Sequence, residues 1–206
     1  MSSVFRDKSK AEPEIEFLKE IDRLKGVLRQ TVVLDKSRRE NTAEHSWHLA
    51  TAVLACHHLA DEPVNLERAL KIALVHDIVE IDAGDTFLYD EKLSESKFAT
   101  ESKAADRIFG MLPVNGGELR SLWLAYETRA CPESKFVYAL DRFLPMMANC
   151  MTEGHAWRQN KVTFRQVWAK NQPIENGSKK LWQVAQTLLE NAKRDGHLPE
   201  KYEETS

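Results

Sequence analysis

The chain has 206 residues, of which 42% are hydrophobic and 30% charged, with a formal net charge of −3 at pH 7. This composition is that of a globular protein, and no apolar run approaches the roughly 18 residues that span a bilayer, so we expect no membrane partner. The acidic balance excludes the broad basic surface that nucleic acid polymers require, and it favours a small-molecule substrate.

The length predicts a single domain over residues 1–206, with a core from about residue 14 to residue 195 and polar ends. The first residues, MSSVFRDKSKAEPE, lack the apolar stretch of a secretory signal, so we expect a cytoplasmic protein. The three cysteines have none of the close spacings of zinc modules or disulfide frameworks, which predicts reduced thiols.

Nearly every segment shows apolar positions three and four residues apart, which is typical of helices with one buried face. Pro13 opens the first predicted helix, whose apolar stripe continues to Leu28. Asn41 supplies the cap of a second helix that runs to about residue 60. Asn65 caps a third helix, which is apolar on most sides at its far end and is therefore predicted to be central.

Residues 80–93 interrupt the helical pattern with Gly84 and several acids, which predicts a loop after the third helix. Loops on a rigid scaffold often carry the chemistry. Ser94 is predicted to cap a fourth helix that runs to Leu112.

The remaining segments continue the helical pattern. Further helices are predicted to begin at or just after these residues: Leu119, Pro132, Thr163 and Ser178. Gly196 closes the last of them. The five tryptophans fall at core-like positions, and no strand pattern of alternating residues appears. The sequence therefore predicts an all-α fold.

Four side chains on these helices carry nitrogen or carboxylate donors: His45, His76, Asp77 and Asp141. Asp141 lies among apolar neighbours, where an unpaired charge is costly. A mixed set of imidazoles and carboxylates suits one divalent metal ion that activates water. Ordinary interpretations remain open: each histidine as a core residue that donates to a backbone carbonyl, and Asp141 as the partner of Arg142 or of a distant lysine.

Four segments carry a resemblance to a known family: LKGVLR (24–29), ENTAEHSWHLA (40–50), ALVHDIVEIDAGD (73–85) and ALDRFLPMM (139–147). With them the chain resembles the HD-domain metal-dependent phosphohydrolases, and more narrowly their bacterial 5′-deoxynucleotidase branch and its eukaryotic relatives. The resemblance implies an HD-domain helical bundle that forms a homodimer and binds one divalent metal ion, namely Mn, Co, Fe, Ni or Zn.

The resemblance also implies roles for individual residues. The implied metal ligands are His45, His76, Asp77 and Asp141. Glu80 would act on the water or on the proton of the leaving group, Asp85 would lie near the scissile ester or the sugar hydroxyls, and Arg29 would bind the substrate phosphate. Two alternatives remain open: Glu80 as a solvated acid at a helix end, and Arg29 as a surface cation at a helix C-terminus.

Other polar residues are candidates for the lining of the pocket: Arg38, Arg39, Asp82, Lys92 and His155. Gln30 departs from the family pattern, because the deoxynucleotidase branch commonly has a pocket tryptophan there. This difference leaves the preference for 2′-deoxy substrates open.

The predicted activity is hydrolysis of nucleoside 5′-monophosphates to nucleoside and phosphate. One alternative keeps the metal and changes the substrate to nucleoside triphosphates or cyclic nucleotides. An alternative of another class is a helical binding module without turnover.

Overall fold

The computed structural model of the chain describes residues 11–202, and for residues 91–96 the backbone alone. Ten α-helices lie in this region: α1 (Glu12–Asp22), α2 (Thr42–Cys56), α3 (Leu66–Val75), α4 (Glu80–Ala83), α5 (Glu91–Phe109), α6 (Gly116–Thr128), α7 (Pro132–Met151), α8 (His155–Gln159), α9 (Phe164–Asn171) and α10 (Lys179–Arg194). The all-α prediction is confirmed. None of the described helices has the length and apolar character needed to cross a membrane.

Helix caps account for several of these boundaries. A side-chain oxygen accepts a hydrogen bond from the backbone N–H three residues later at each predicted cap: Asn41, Asn65, Thr163 and Ser178. Pro132 occupies the first turn of α7, where a missing N–H costs nothing. The polar residues that precede each apolar stripe thus determine where these helices begin.

The segment around Arg29 differs from the prediction. The first helix ends at Asp22, a 3-10 turn follows over Arg23–Gly26, and Leu28 begins a strand. This strand, β1 (Leu28–Val32), pairs antiparallel with β2 (Arg39–Asn41), so that Leu28 lies opposite Asn41. The helix prediction through Leu28 was wrong because a short apolar stretch fits both periods, and Gly26 disfavours helix continuation.

The segment after α3 also differs from the prediction. One helical turn, α4, begins at Glu80, and the irregular loop covers only residues 84–90. Gly84 ends α4, and its N–H donates to the carbonyl of Glu80 at 2.8 Å. The fourth long helix begins at Glu91, before Ser94, whose predicted capping side chain lies outside the described side chains.

Helix α7 is the centre of the core and packs against α2, α3, α6 and α10. Its buried face includes Phe136, Leu140 and Met146. One tryptophan contradicts the prediction for that residue type, because Trp47 is 68% exposed. The three cysteines are free thiols. Because α2, α3 and α7 pack against one another, polar side chains on their facing sides lie close together.

Candidate metal centre

Donor atoms from three helical elements meet where α2, α3 and α7 pack together. His45 lies in α2, His76 and Asp77 directly follow α3, and Asp141 lies in the middle of α7. One donor atom each from His45, His76 and Asp141 lies within 4.8 Å of the other two. The structure thus brings together predicted residues that lie up to 96 positions apart in the sequence.

The distances describe a compact cluster of nitrogen and oxygen atoms. Asp141 Oδ1 lies 2.8 Å from His45 Nε2 and 3.7 Å from His76 Nε2. Asp77 Oδ2 lies 3.0 Å from His76 Nε2 and 4.0 Å from His45 Nε2. Asp77 is not one of the three residues whose donor atoms all lie within 4.8 Å of one another, but it lies close to both histidines of that group.

Outer hydrogen bonds orient these donors. His76 Nδ1 lies 2.9 Å from the carbonyl oxygen of Ala73, which can only accept, so Nδ1 donates and Nε2 of the neutral ring keeps its lone pair. The Tyr126 hydroxyl donates to Asp141 Oδ2 at 2.6 Å. His45 Nδ1 faces the Glu40 carboxylate at 3.6 Å. Contacts of this kind are typical around metal ligands.

The interpretation of His76 as an ordinary core histidine explains the contact of its Nδ1 with a backbone carbonyl. It does not explain the surroundings of its Nε2. Its Nε2 is buried and, among the described residues, has no hydrogen-bond partner. The alternative partners proposed for Asp141 are wrong, because its contacts are His45, His76 and Tyr126. The buried imidazole nitrogen of His76 faces the carboxylates of Asp77 and Asp141, and such a donor set fits a divalent transition metal.

The charges in the cluster favour a bound cation. Burial alone would lower the pKa of His76, but the carboxylates of Asp77 and Asp141 outweigh it and raise this pKa to about 10. Burial alone would raise the pKa of Asp77, but His76 and Arg29 hold it well below its usual range. The two carboxylates therefore stay ionised and attract positive charge.

Arg29 lies on β1 and reaches the cluster from the side. Its Nη1 is 3.0 Å from Asp77 Oδ2 and 3.5 Å from Asp85 Oδ1, and its Nε is 3.7 Å from Glu40 Oε2. The alternative of a surface cation at a helix end is wrong, because the side chain is 12% exposed. Gly84, at φ +75°, turns the chain so that Asp85 approaches Arg29.

Glu80 is buried, so the alternative of a solvated helix-end acid is wrong. The Thr42 hydroxyl donates to Glu80 Oε2 at 2.9 Å. Burial, with the nearby negative charge of Asp77, raises the pKa of Glu80 well above its usual value. No sequence signal pointed to Thr42, because its partner lies 38 residues away in the chain.

Most of these groups line one cavity of about 500 Å³, whereas His45 is not among its lining residues. Its wall includes the predicted residues Arg29, Gln30, His76, Asp77, Glu80, Asp85 and Asp141. Sequence reasoning missed several other residues of the wall, among them Lys97, Glu101, Tyr126, Tyr138 and Arg142. Four further candidates do not line it, namely Arg38, Arg39, Asp82 and His155, and the Lys92 side chain lies outside the described part.

Comparison with known proteins gives a consistent result. The family model described as HD domain matches residues 21–182. The chain is 33% identical over 135 residues to 5′-deoxynucleotidase hdd1 of Schizosaccharomyces pombe, and 33% identical over 130 residues to human 5′-deoxynucleotidase HDDC2. These alignments cover 63% and 62% of this chain, but only 66% and 62% of the two relatives' own lengths.

A solved structure shows that the likeness extends over nearly the whole fold. A predicted metal-dependent phosphohydrolase from Magnetospirillum magnetotacticum is 44% identical to this chain, with a TM-score of 0.87. The superposition covers 93% of this chain and 100% of that one.

Proposed function

Because this chain belongs to the HD-domain family, we propose that it is a metal-dependent phosphohydrolase that cleaves nucleoside 5′-monophosphates, 2′-deoxynucleotides included, to nucleoside and phosphate. The relatives named 5′-deoxynucleotidase support the substrate class. The observation that carries the proposal is the group of donors from His45, His76 and Asp141 beside a cavity of about 500 Å³.

His45, His76, Asp77 and Asp141 would hold one divalent ion, and the mixed donor set suits Mn, Co, Fe, Ni or Zn. When bound, such an ion polarises a phosphoryl oxygen and lowers the pKa of water. The buried Nε2 of His76, which faces the carboxylates of Asp77 and Asp141, supports this assignment.

The protein's own groups would bind the phosphate and move the proton. Arg29 would turn its planar fork from the carboxylates of Asp77 and Asp85 to the phosphate oxygens. Glu80, hydrogen-bonded by Thr42, would accept a proton from the attacking water and pass it to the nucleoside oxygen as the ester breaks. Asp85, on the same wall, would accept a hydrogen bond from a sugar hydroxyl.

Gln30 follows Arg29 on β1 and lines the cavity. A side-chain amide is smaller than an indole and both donates and accepts hydrogen bonds. The Gln30 side chain therefore leaves space for a 2′-hydroxyl and can form a hydrogen bond with it. We expect the protein to cleave ribonucleotides as well as deoxyribonucleotides.

The test is phosphate release from a panel of ribo- and deoxyribonucleoside monophosphates with Mn or Co added. Wild-type protein should release phosphate, and Asp77→Asn should abolish release. Asp106→Asn is the matched control, since Asp106 is an exposed acid paired with Arg120. The proposal fails if loaded wild-type protein releases no more phosphate than Asp77→Asn, or releases only pyrophosphate or tripolyphosphate from triphosphates.

We further propose that residues 1–206 form one HD domain, working in the cytoplasm as a homodimer. Packing of α7 against α2, α3, α6 and α10 supports the single domain. Trp47 and Leu54, seven residues apart on one face of α2, are 68% and 51% exposed, which supports a partner surface. Light scattering should give twice the chain mass, and Trp47→Lys should lower it.

A further inference from the structure

The cavity extends past the candidate metal centre along α7. Asp141 and Arg142 are consecutive residues, so their side chains leave the helix about 100° apart. Asp141 faces His45, whereas Arg142 lines a part of the cavity that also includes Tyr138 and Met146. The roles proposed above use Asp141 and leave Arg142 without a function.

Arg142 differs sharply from the other buried arginine of the cavity. Arg29 has three carboxylates within 4.0 Å. No described carboxylate lies that close to the guanidinium of Arg142, and its buried Nε has no hydrogen-bond acceptor among the described residues. Guanidinium stays charged at any accessible pH and needs acceptors. The unsatisfied Nε of Arg142, together with the absence of a described carboxylate beside its guanidinium, indicates a ligand group at this place.

The guanidinium of Arg142 is stacked on an aromatic ring. Its Cζ lies 4.8 Å from the ring centroid of Tyr138, and Arg129 lies over the same ring at 4.7 Å. A stacked guanidinium holds its N–H donors in one plane, pointing outward from its edge. Two acceptors side by side on a planar ligand match this arrangement.

The neighbouring wall favours a flat ring over a second phosphate group. Phe87 and Tyr89 line the same cavity as an edge-to-face pair, with centroids 5.2 Å apart. Pro145 and Met146 add apolar surface. Aromatic and apolar surfaces bind nucleobases by stacking, whereas a hydrated anion gains nothing from them.

We propose that Arg142 is a specificity-determining residue that binds the substrate's base through two adjacent acceptors, which favours guanine and hypoxanthine over adenine and thymine. The O6 and N7 atoms of guanine form the acceptor pair that arginine binds most often. Adenine has an amino donor beside its ring acceptors, and thymine has the N3–H donor between O2 and O4, so neither base presents two adjacent acceptors. This inference rests on the proposed function, because it concerns the base of the same nucleotide.

The test compares kcat/KM for dGMP, dIMP, 7-deaza-dGMP and dTMP in wild type and Arg142→Gln. Wild type should prefer dGMP and dIMP, while 7-deaza-dGMP, which lacks the N7 acceptor, should lose part of that preference. Arg142→Gln should lower the dGMP to dTMP ratio about 10- to 100-fold. Arg142→Lys keeps the charge without the fork and should show most of the same loss. Arg120→Gln, a change outside the cavity, should leave the ratio unchanged.

Binding without turnover separates this inference from the proposed function. Calorimetry should show weaker binding of deoxyguanosine, but equal binding of thymidine, in Arg142→Gln. This result would support the base contact even if no phosphate were released. Equal losses for all nucleotides and for deoxyribose 5-phosphate would overturn the inference, as would a wild-type preference for nucleoside 3′,5′-bisphosphates that Arg142→Gln removes.

Discussion

At the scale of single residues, the cavity holds two largely buried arginines in opposite circumstances and one buried carboxyl group, Glu80, that accepts a hydrogen bond from Thr42. Arg29 is paired with acids and must exchange them for a phosphate, whereas no described carboxylate lies within 4.0 Å of the Arg142 guanidinium. Glu80 depends on Thr42 for its position, because both are buried and their hydrogen bond is 2.9 Å long. A hydrogen bond between neutral side chains contributes roughly 0.5–1.5 kcal/mol.

Removing the Thr42 hydroxyl should therefore slow turnover with little effect on substrate binding. Thr42→Val keeps the shape of the side chain, and we expect kcat to fall about tenfold with KM nearly unchanged, because the proton-handling carboxyl loses its orientation. Thr42→Ser, which keeps the hydroxyl, should retain most of the activity. Steady-state kinetics on both variants checks this. A wild-type kcat in Thr42→Val would show that Glu80 needs no such support.

At the scale of elements, the sequence predicted the long helices well and the segments beside the site poorly. Side-chain caps such as Asn65 and Ser178 act within three residues, so a local pattern reveals them. Strand β1 and the single turn of α4 are too short to show a period. Both carry site residues, since β1 positions Arg29 and α4 begins with Glu80.

The turn after α4 depends on the backbone of Gly84. At φ +75° and ψ 158° it occupies a region that other residues rarely adopt, although a Cβ there would meet no atom within 4 Å. Gly84→Ala should destabilise the protein by about 1–3 kcal/mol through backbone strain alone. It should also raise KM, because Asp85 shifts away from Arg29.

Gly117→Ala is the matched control for Gly84→Ala. Gly117 lies in α6, a Cβ there also meets nothing within 4 Å, and alanine favours helix. Urea unfolding should show lower stability for Gly84→Ala and equal or higher stability for Gly117→Ala. Equal stability of the two variants would contradict the strain argument.

At the scale of the whole molecule, the cavity is assembled from elements that are distant in the chain, and this explains which of its residues the sequence revealed. Motif spacing pointed to His45, His76 and Asp141, which form the candidate centre. Lys97 and Glu101 belong to a helix that looks amphipathic and ordinary in sequence, and only the packing of α5 against α6 places them in the wall. No local pattern encodes that placement.

The burial of Glu101 in the cavity wall should have a measurable effect on the stability of the protein. Its side chain is 2% exposed, its Oε1 lies 3.3 Å from Lys97 Nζ, and its Oε2 has no hydrogen-bond partner among the described residues. Burial raises its pKa to about 7, and Lys97 only partly opposes this effect. The folded protein therefore keeps a proton on Glu101 at pH values where the unfolded chain has lost it.

Since the folded-state pKa is raised, Glu101 carries no penalty below about pH 4.5. Its cost to stability grows between about pH 4.5 and 7 and is constant above that range. Glu101→Gln removes this ionisation, so its Tm relative to wild type should increase by about 5 °C between pH 5 and pH 8. Thermal melts of metal-free protein across this range measure the difference. Glu190→Gln, a change at an exposed acid of α10, should follow wild type throughout. A Tm difference that stays constant with pH would show that Glu101 ionises as readily in the fold as in water.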